Sequence, residues 1–199
     1  EPILIGTSAT SPNNFQRMPI YRLSANAGST WQDSVAFTYT YELAKFSQVW
    51  KDTGAVWINL TDSCANATLS DWRFFGDTGD TMYYGHTEKY KRIQWNFWTR
   101  GNDSNATITF QYFDSVAVAW ANMTVAQSLP ANPDLFSTSG NFYQYVEFDS
   151  LPAKWGQNAV NGVTKHYIRM YSSQPFSTEP IGSSATPCSY QTYGGFVAN

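Results

Sequence analysis

Ile93-Gln94-Trp95-Asn96-Phe97-Trp98 alternates apolar and polar side chains with period two. Ala106-Thr107-Ile108-Thr109-Phe110-Gln111-Tyr112-Phe113 does so again, after Gly101-Asn102-Asp103-Ser104-Asn105. A strand that buries one face places every second residue on it, so both stretches are expected to be half-buried strands. The turn-forming residues between them predict that the two pair as a hairpin. Val35 to Tyr41, Ala55 to Leu60, Phe142 to Phe148 and His166 to Tyr171 carry the same signature, the last two separated by a loop from Pro152 to Gly162. The best helical stretch, Tyr41-Glu42-Leu43-Ala44-Lys45-Phe46, is too short and is flanked by β-branched and aromatic residues. Many short strands with frequent turn signals predict an all-β chain, an antiparallel, jelly-roll-like β-sandwich forming a single domain over 31–172. Residues 1–30 and 173–199 are rich in Ser, Pro, Gly and Asn and poor in charge, and are expected to be N- and C-terminal arms.

The chain has 199 residues, 17% of them aromatic and only 14% charged. Soluble domains average about 25% charged residues, so this surface is polar without being charged. That suits a glycan-covered or assembly-buried exterior. A formal net charge of -3 gives no electrostatic footprint for nucleic acid, which is excluded as a partner. No stretch approaches the roughly 18 apolar residues of a membrane span. The start at Glu1-Pro2 rather than Met implies processing, by removal of a secretion leader or by virion maturation.

Cys64 and Cys188 are the two cysteines. A disulfide between them is the expectation, with Cys188 tying the C-terminal arm back. Closing so long a loop is worth about 4 to 5 kcal/mol in chain entropy, before strain. The alternative is two unrelated buried thiols. Sequons at Asn59, Asn66, Asn102, Asn105 and Asn122 are candidate N-glycosylation sites, although chance alone generates such triplets in a chain this rich in Asn, Ser and Thr. Ile3-Leu4-Ile5 precedes the loose tether Gly6-Thr7-Ser8-Ala9-Thr10-Ser11-Pro12. A short apolar strand on such a tether can add to the open sheet edge of a neighbouring subunit, or pair within its own sheet.

The second half carries an ordered run of features: Gly85, Trp95-Asn96-Phe97, Ile108 to Phe113 followed by Trp120, and Phe136-Ser137-Thr138-Ser139-Gly140. Val146-Glu147-Phe148-Asp149, Pro152, Trp155 and Val160-Asn161-Gly162-Val163-Thr164-Lys165-His166-Tyr167-Ile168-Arg169 complete it. Over residues 75–172 this order resembles an aromatic-rich β-sandwich domain that recurs in phage and archaeal virus structural proteins and in prokaryotic surface proteins. His166-Tyr167 stands where that pattern has Tyr-Trp, and no Gly precedes Trp120. The resemblance implies a structural or adhesive role and transfers no catalytic residue. Trp95, Trp120, Trp155 and Tyr167 are expected to pack the core, each burying about 150 to 250 Å2.

Chemistry-bearing residues are sparse. Glu147 and Asp149 share a strand face, but a glycosidase brings its carboxylates from opposite sides of a cleft. His86 and His166 are far apart in sequence, with no further ligand at metal spacing. Asp77-Thr78-Gly79-Asp80 fits a turn better than a calcium loop. No nucleophile elbow or phosphate-binding loop occurs. Catalytic residues, metal ligands and cofactors are therefore all expected to be none. Tyr83-Tyr84, Trp72, Phe74-Phe75 and Tyr143-Tyr145 exceed what one core is expected to absorb, leaving rings for sugars or a subunit interface.

The expected function is a structural subunit of an extracellular or virion-surface filament, sheath or fibre. It is expected to be a glycosylated homopolymer, partnered by copies of itself through strand exchange and aromatic interfaces. A carbohydrate-binding or adhesin module and a glycan-cleaving jelly-roll enzyme are the alternatives.

Overall fold

The structure, a computed structural model, describes residues 37–42, 45–66, 72–77, 79–102, 106–131, 135–137 and 142–193. Two compact units divide the chain. The unit Leu43–Ser189 is an all-β sandwich of two antiparallel sheets. The other unit joins Glu1–Glu42 to Tyr190–Asn199 and contains β1 (Phe37–Glu42).

The larger sheet of the sandwich has seven strands. Its order is β3 (Trp57–Asn59), β2 (Gln48–Asp52), β5 (Thr81–His86), β12 (Val163–Ser172), β7 (Ile108–Asp114) and β8 (Ala119–Asn122), with β11 (Asn158–Val160) beside β12. The smaller sheet runs β13 (Ile181–Tyr193), β6 (Arg92–Thr99), β10 (Tyr143–Phe148) and β9 (Val125–Leu129), with β4 (Trp72–Arg73) on β13. Among the described residues the one helix is α1 (Thr61–Ala65), whose Cys64 drops into the core.

The inward positions follow from the period of two. Met82 and Tyr84 of β5, Ile168 and Met170 of β12, and Ile108 and Phe110 of β7 meet Ile93, Trp95 and Phe97 of β6 and Val146 and Phe148 of β10. Phe136 is the hub of the aromatic end of this core, its ring centroid 5.0 Å from those of Phe74 and Trp95 and 5.5 Å from that of Phe97. It holds φ at +69°, a left-handed conformation that bulky residues avoid. Two backbone contacts hold it there: its N–H donates to the buried Gln144 side chain at 2.7 Å, and its carbonyl accepts the Gly101 N–H at 2.8 Å.

Several sequence expectations are revised. β6 and β7 do not pair as a hairpin; β6 lies between β10 and β13, whereas β7 lies between β12 and β8 in the other sheet. Just after β6, Asn102 N–H bonds the Thr178 carbonyl. Within the segment expected as the C-terminal arm, β13 spans Ile181–Tyr193 and pairs with β6. The expected loop from Pro152 to Gly162 contains β11 and a bridge from Trp155 to Asp114. Residues 1–30, with Ile3, Leu4 and Ile5, lie outside the described residues.

Two glycines are required by neighbouring rings. A Cβ on Gly85 would fall 2.3 Å from Tyr167 Cε1, its cross-strand partner, and one on Gly182 would fall 2.0 Å from the Trp72 ring across β4 and β13. Each ring lies flat over backbone that has no side chain, an arrangement that lets a large aromatic cover a sheet without lifting it. Gly85→Ala is therefore expected to cost about 1 to 3 kcal/mol, the range for overpacking. Thermal melting should show a drop of about 2 to 4 °C per kcal/mol. Combining it with Tyr167→Leu should recover part of the loss, because the ring that causes the clash is gone.

Candidate binding face

The outward positions of the larger sheet form a rung that crosses it strand by strand. Registers place Asn59 opposite Trp50, Trp50 opposite Tyr83, Tyr83 opposite Arg169, Arg169 opposite Gln111 and Gln111 opposite Asn122. Residues directly opposite share a sheet face, so these six side chains line up on one surface. Next to them Tyr167 lies opposite Gly85 and Phe113 opposite Trp120. Tyr83, Tyr167 and Val160 make a small apolar cluster separate from the main core, with Trp50 and Trp120 packed against it.

The rings touch in sequence. Trp57 lies 5.4 Å from Tyr83, and Tyr83 lies 5.8 Å from Trp120, centroid to centroid. Trp50 meets Trp57 edge-on at 6.4 Å. Trp57 is 41% exposed, and Trp50 and Trp120 are half-buried. Polar groups run through the same surface. The Arg169 guanidinium lies 4.6 Å above the Trp120 ring and donates through Nε to Gln111 Oε1 at 2.7 Å. Gln111 Nε2 in turn donates to Asn122 Oδ1 at 2.8 Å. Burial raises the Tyr83 phenol, with Arg169 opposing, and pushes Tyr167 up to about 12, so both rings are neutral hydrogen-bonding groups at any physiological pH.

The residues singled out from sequence are placed as follows. Trp95 and Trp155 are core residues as expected, but Trp120 and Tyr167 belong to the outer face. Trp72, Phe74, Phe75 and Tyr84, expected as surplus, are fully buried, whereas Tyr143 is exposed on the smaller sheet. Glu147 bonds Arg92 at 2.8 Å and accepts from Gln127, and Asp149 is exposed beyond the strand end. Asp80 accepts the Gly76 and Asp77 amides and pairs with Lys51 at 2.8 Å, which makes the 76–80 segment a turn closed by an ion pair.

The expected disulfide is not formed. Cys64 lies in the core, where burial pushes its thiol well up. Cys188 lies opposite Arg92, next to the inward Ile93, and so points out of the other side of the smaller sheet. A sheet separates the two thiols, and a disulfide needs Cβ atoms about 4 Å apart. Asn59, Asn66, Asn102 and Asn122 all have exposed side chains, and Asn105 lies outside the described residues.

His86 and His166, eighty residues apart in sequence, are directly opposite one another on β5 and β12. Both point to the core side at one end of the sandwich, His86 edge-on to Tyr90 at 6.4 Å and His166 edge-on to Trp155 at 5.9 Å. No group of three metal-ligating residues occurs among the described residues. Comparisons with family models, with curated proteins and with solved structures return no match to this chain.

Burial lowers both histidine pKa values; Lys165 adds to the effect on His86, and Lys89 and the facing His86 add to it on His166, while the Glu88 and Gly156 carbonyls oppose. Neutral histidines are thus favoured in the folded state, and the unfolded chain takes up protons first as pH falls below about 6.5. Stability should be full above that pH and decline in the window just below it. Melting temperatures measured across that window should fall for the natural chain, and more gently for a His86→Gln, His166→Gln variant.

Proposed function

We propose that this chain is a structural subunit of an extracytoplasmic surface assembly, a filament, sheath or fibre of identical copies, and that it is not an enzyme. The observation that carries the proposal is the β3 edge of the larger sheet. Leu60 N–H bonds the Val49 carbonyl, so by alternation the backbone of Ile58 turns to β2 and that of Trp57 and Asn59 turns away from it. Val56, Trp57 and Ile58 are 57%, 41% and 40% exposed. Natural sheets blunt their edges with charge, proline or bulges because unpaired backbone is a template for another strand. The edge of the smaller sheet has such devices, a register shift in the β9 pairing and Pro130 just past its end. β3 has none.

The occupant that fits is Ile3-Leu4-Ile5 of a neighbouring copy. It is as short as β3, uncharged and apolar, and it precedes a tether rich in Gly, Ser and Thr long enough to span between subunits. Sparse charge, the exposed sequon residues Asn66 and Asn102 and the resemblance over residues 75–172 support the same reading. So do the large apolar side chains exposed on the smaller sheet, Trp98 at 54% and Phe142 at 55%.

Negative-stain microscopy is the test. Deletion of residues 1–10 should abolish polymers, and so should Trp57→Pro, which removes an outward N–H without touching the ladder to β2. Trp57→Ala keeps that N–H and should still polymerise. Unchanged polymers in both the deletion and Trp57→Pro would overturn the reading.

A further inference from the structure

We propose that the outer face of the larger sheet is a binding site for an acidic oligosaccharide, with Arg169 as the group that selects a sugar carboxylate. The inference is independent of the β3 edge, since it uses outward side chains rather than edge backbone.

The exposed Trp57 leans on the buried Tyr83 at 5.4 Å, and Tyr83 in turn meets the half-buried Trp120 edge-on at 5.8 Å. Trp57, 41% exposed, offers its ring to the C–H face of a pyranose, while Tyr83 braces it from within the surface and Trp120 carries the Arg169 guanidinium. Here the rung interleaves Asn59, Arg169, Gln111 and Asn122 with the aromatics, and Asn59 and Asn122 are exposed. These groups supply donors and acceptors at the height where sugar hydroxyls project from a stacked ring.

Arg169 sets the charge of the ligand. It is half-buried, fixed over Trp120, and no carboxylate lies within ion-pair distance of it among the described residues, where the ion pairs are Lys51 with Asp80 and Arg92 with Glu147. A half-buried cation is ordinarily paired. Nε is committed to Gln111, which orients the guanidinium and leaves its other donors for a ligand. A planar fork held beside a ring matches a carboxylate bidentately, and a uronic acid presents a carboxylate on a stackable pyranose.

The test uses the full chain on an array of oligogalacturonate, oligoglucuronate and sialylated oligosaccharides, each beside its carboxyl-reduced counterpart. At least one acidic member should be retained, with tenfold or weaker binding of its reduced form and a loss of affinity as salt rises. Arg169→Gln should bring the acidic ligand down to the level of the reduced one. Trp57→Ala should weaken both forms several-fold. Retention of no acidic member, equal binding of reduced and acidic forms, or an Arg169→Gln variant that still discriminates would overturn the proposal. Should Arg169→Gln fail to fold, Arg169→Lys, which keeps the charge but not the fork, must still lose most of the discrimination.

Discussion

Inside the sandwich the Trp95 indole N–H donates to the Tyr84 hydroxyl at 3.1 Å, joining the smaller sheet to the larger through a buried polar contact. Tyr90 completes it: its hydroxyl donates to the Tyr84 carbonyl at 2.6 Å and accepts the Ile168 N–H at 3.2 Å. A buried indole or phenol without a partner costs about 1 to 3 kcal/mol, so these three rings fix which residues of β5, β6 and β12 face inward. The side-chain period of a strand is two, and a one-residue slip would turn every ring to the wrong face. With Tyr84 and Ile168 inside, Tyr83, Gly85, Tyr167 and Arg169 must be outside.

The outer face of the larger sheet is therefore a consequence of the core. Tyr167 lies over Gly85, Tyr83 and Arg169 meet across the strands, and Trp120 is pinned from below by Phe113 at 5.9 Å and from above by the guanidinium. The β7 to β8 turn that brings Trp120 back is held by Asp114, whose carboxylate accepts the Val116 and Ala117 amides at 2.8 and 2.9 Å and is lowered in pKa by them. Rings fixed in this way lose little further entropy on binding. Edge and face are thus separate devices on one sheet, the first made of backbone and the second of side chains.

Strand positions were legible in the sequence because alternation is a local signal. The runs at Ile93 to Trp98 and Ala106 to Phe113 are both strands, β6 and β7. Their partners were not legible, since the turn residues that signal a hairpin serve equally for a crossing between sheets. β13 escaped notice because its Ser, Thr, Gly and Pro content resembles a loop, and only pairing with β6 makes it a strand. The rung was hidden for a related reason: Trp50, Tyr83, Gln111 and Arg169 come from four distant stretches. A cue was present in Tyr83-Tyr84-Gly85 and Tyr167-Ile168-Arg169, where alternation around one buried residue leaves a ring and a cation outside. The two histidines likewise meet only through strand pairing.

The central claim, that copies join along β3, is tested most directly by hydrogen exchange at the Trp57 and Asn59 amides, compared between isolated subunits and polymer. Those N–H groups point away from β2 and should exchange rapidly in the isolated chain, then become protected on assembly while Ile58 changes little. Polymers that form with the Trp57 and Asn59 amides still exchanging rapidly would contradict the account.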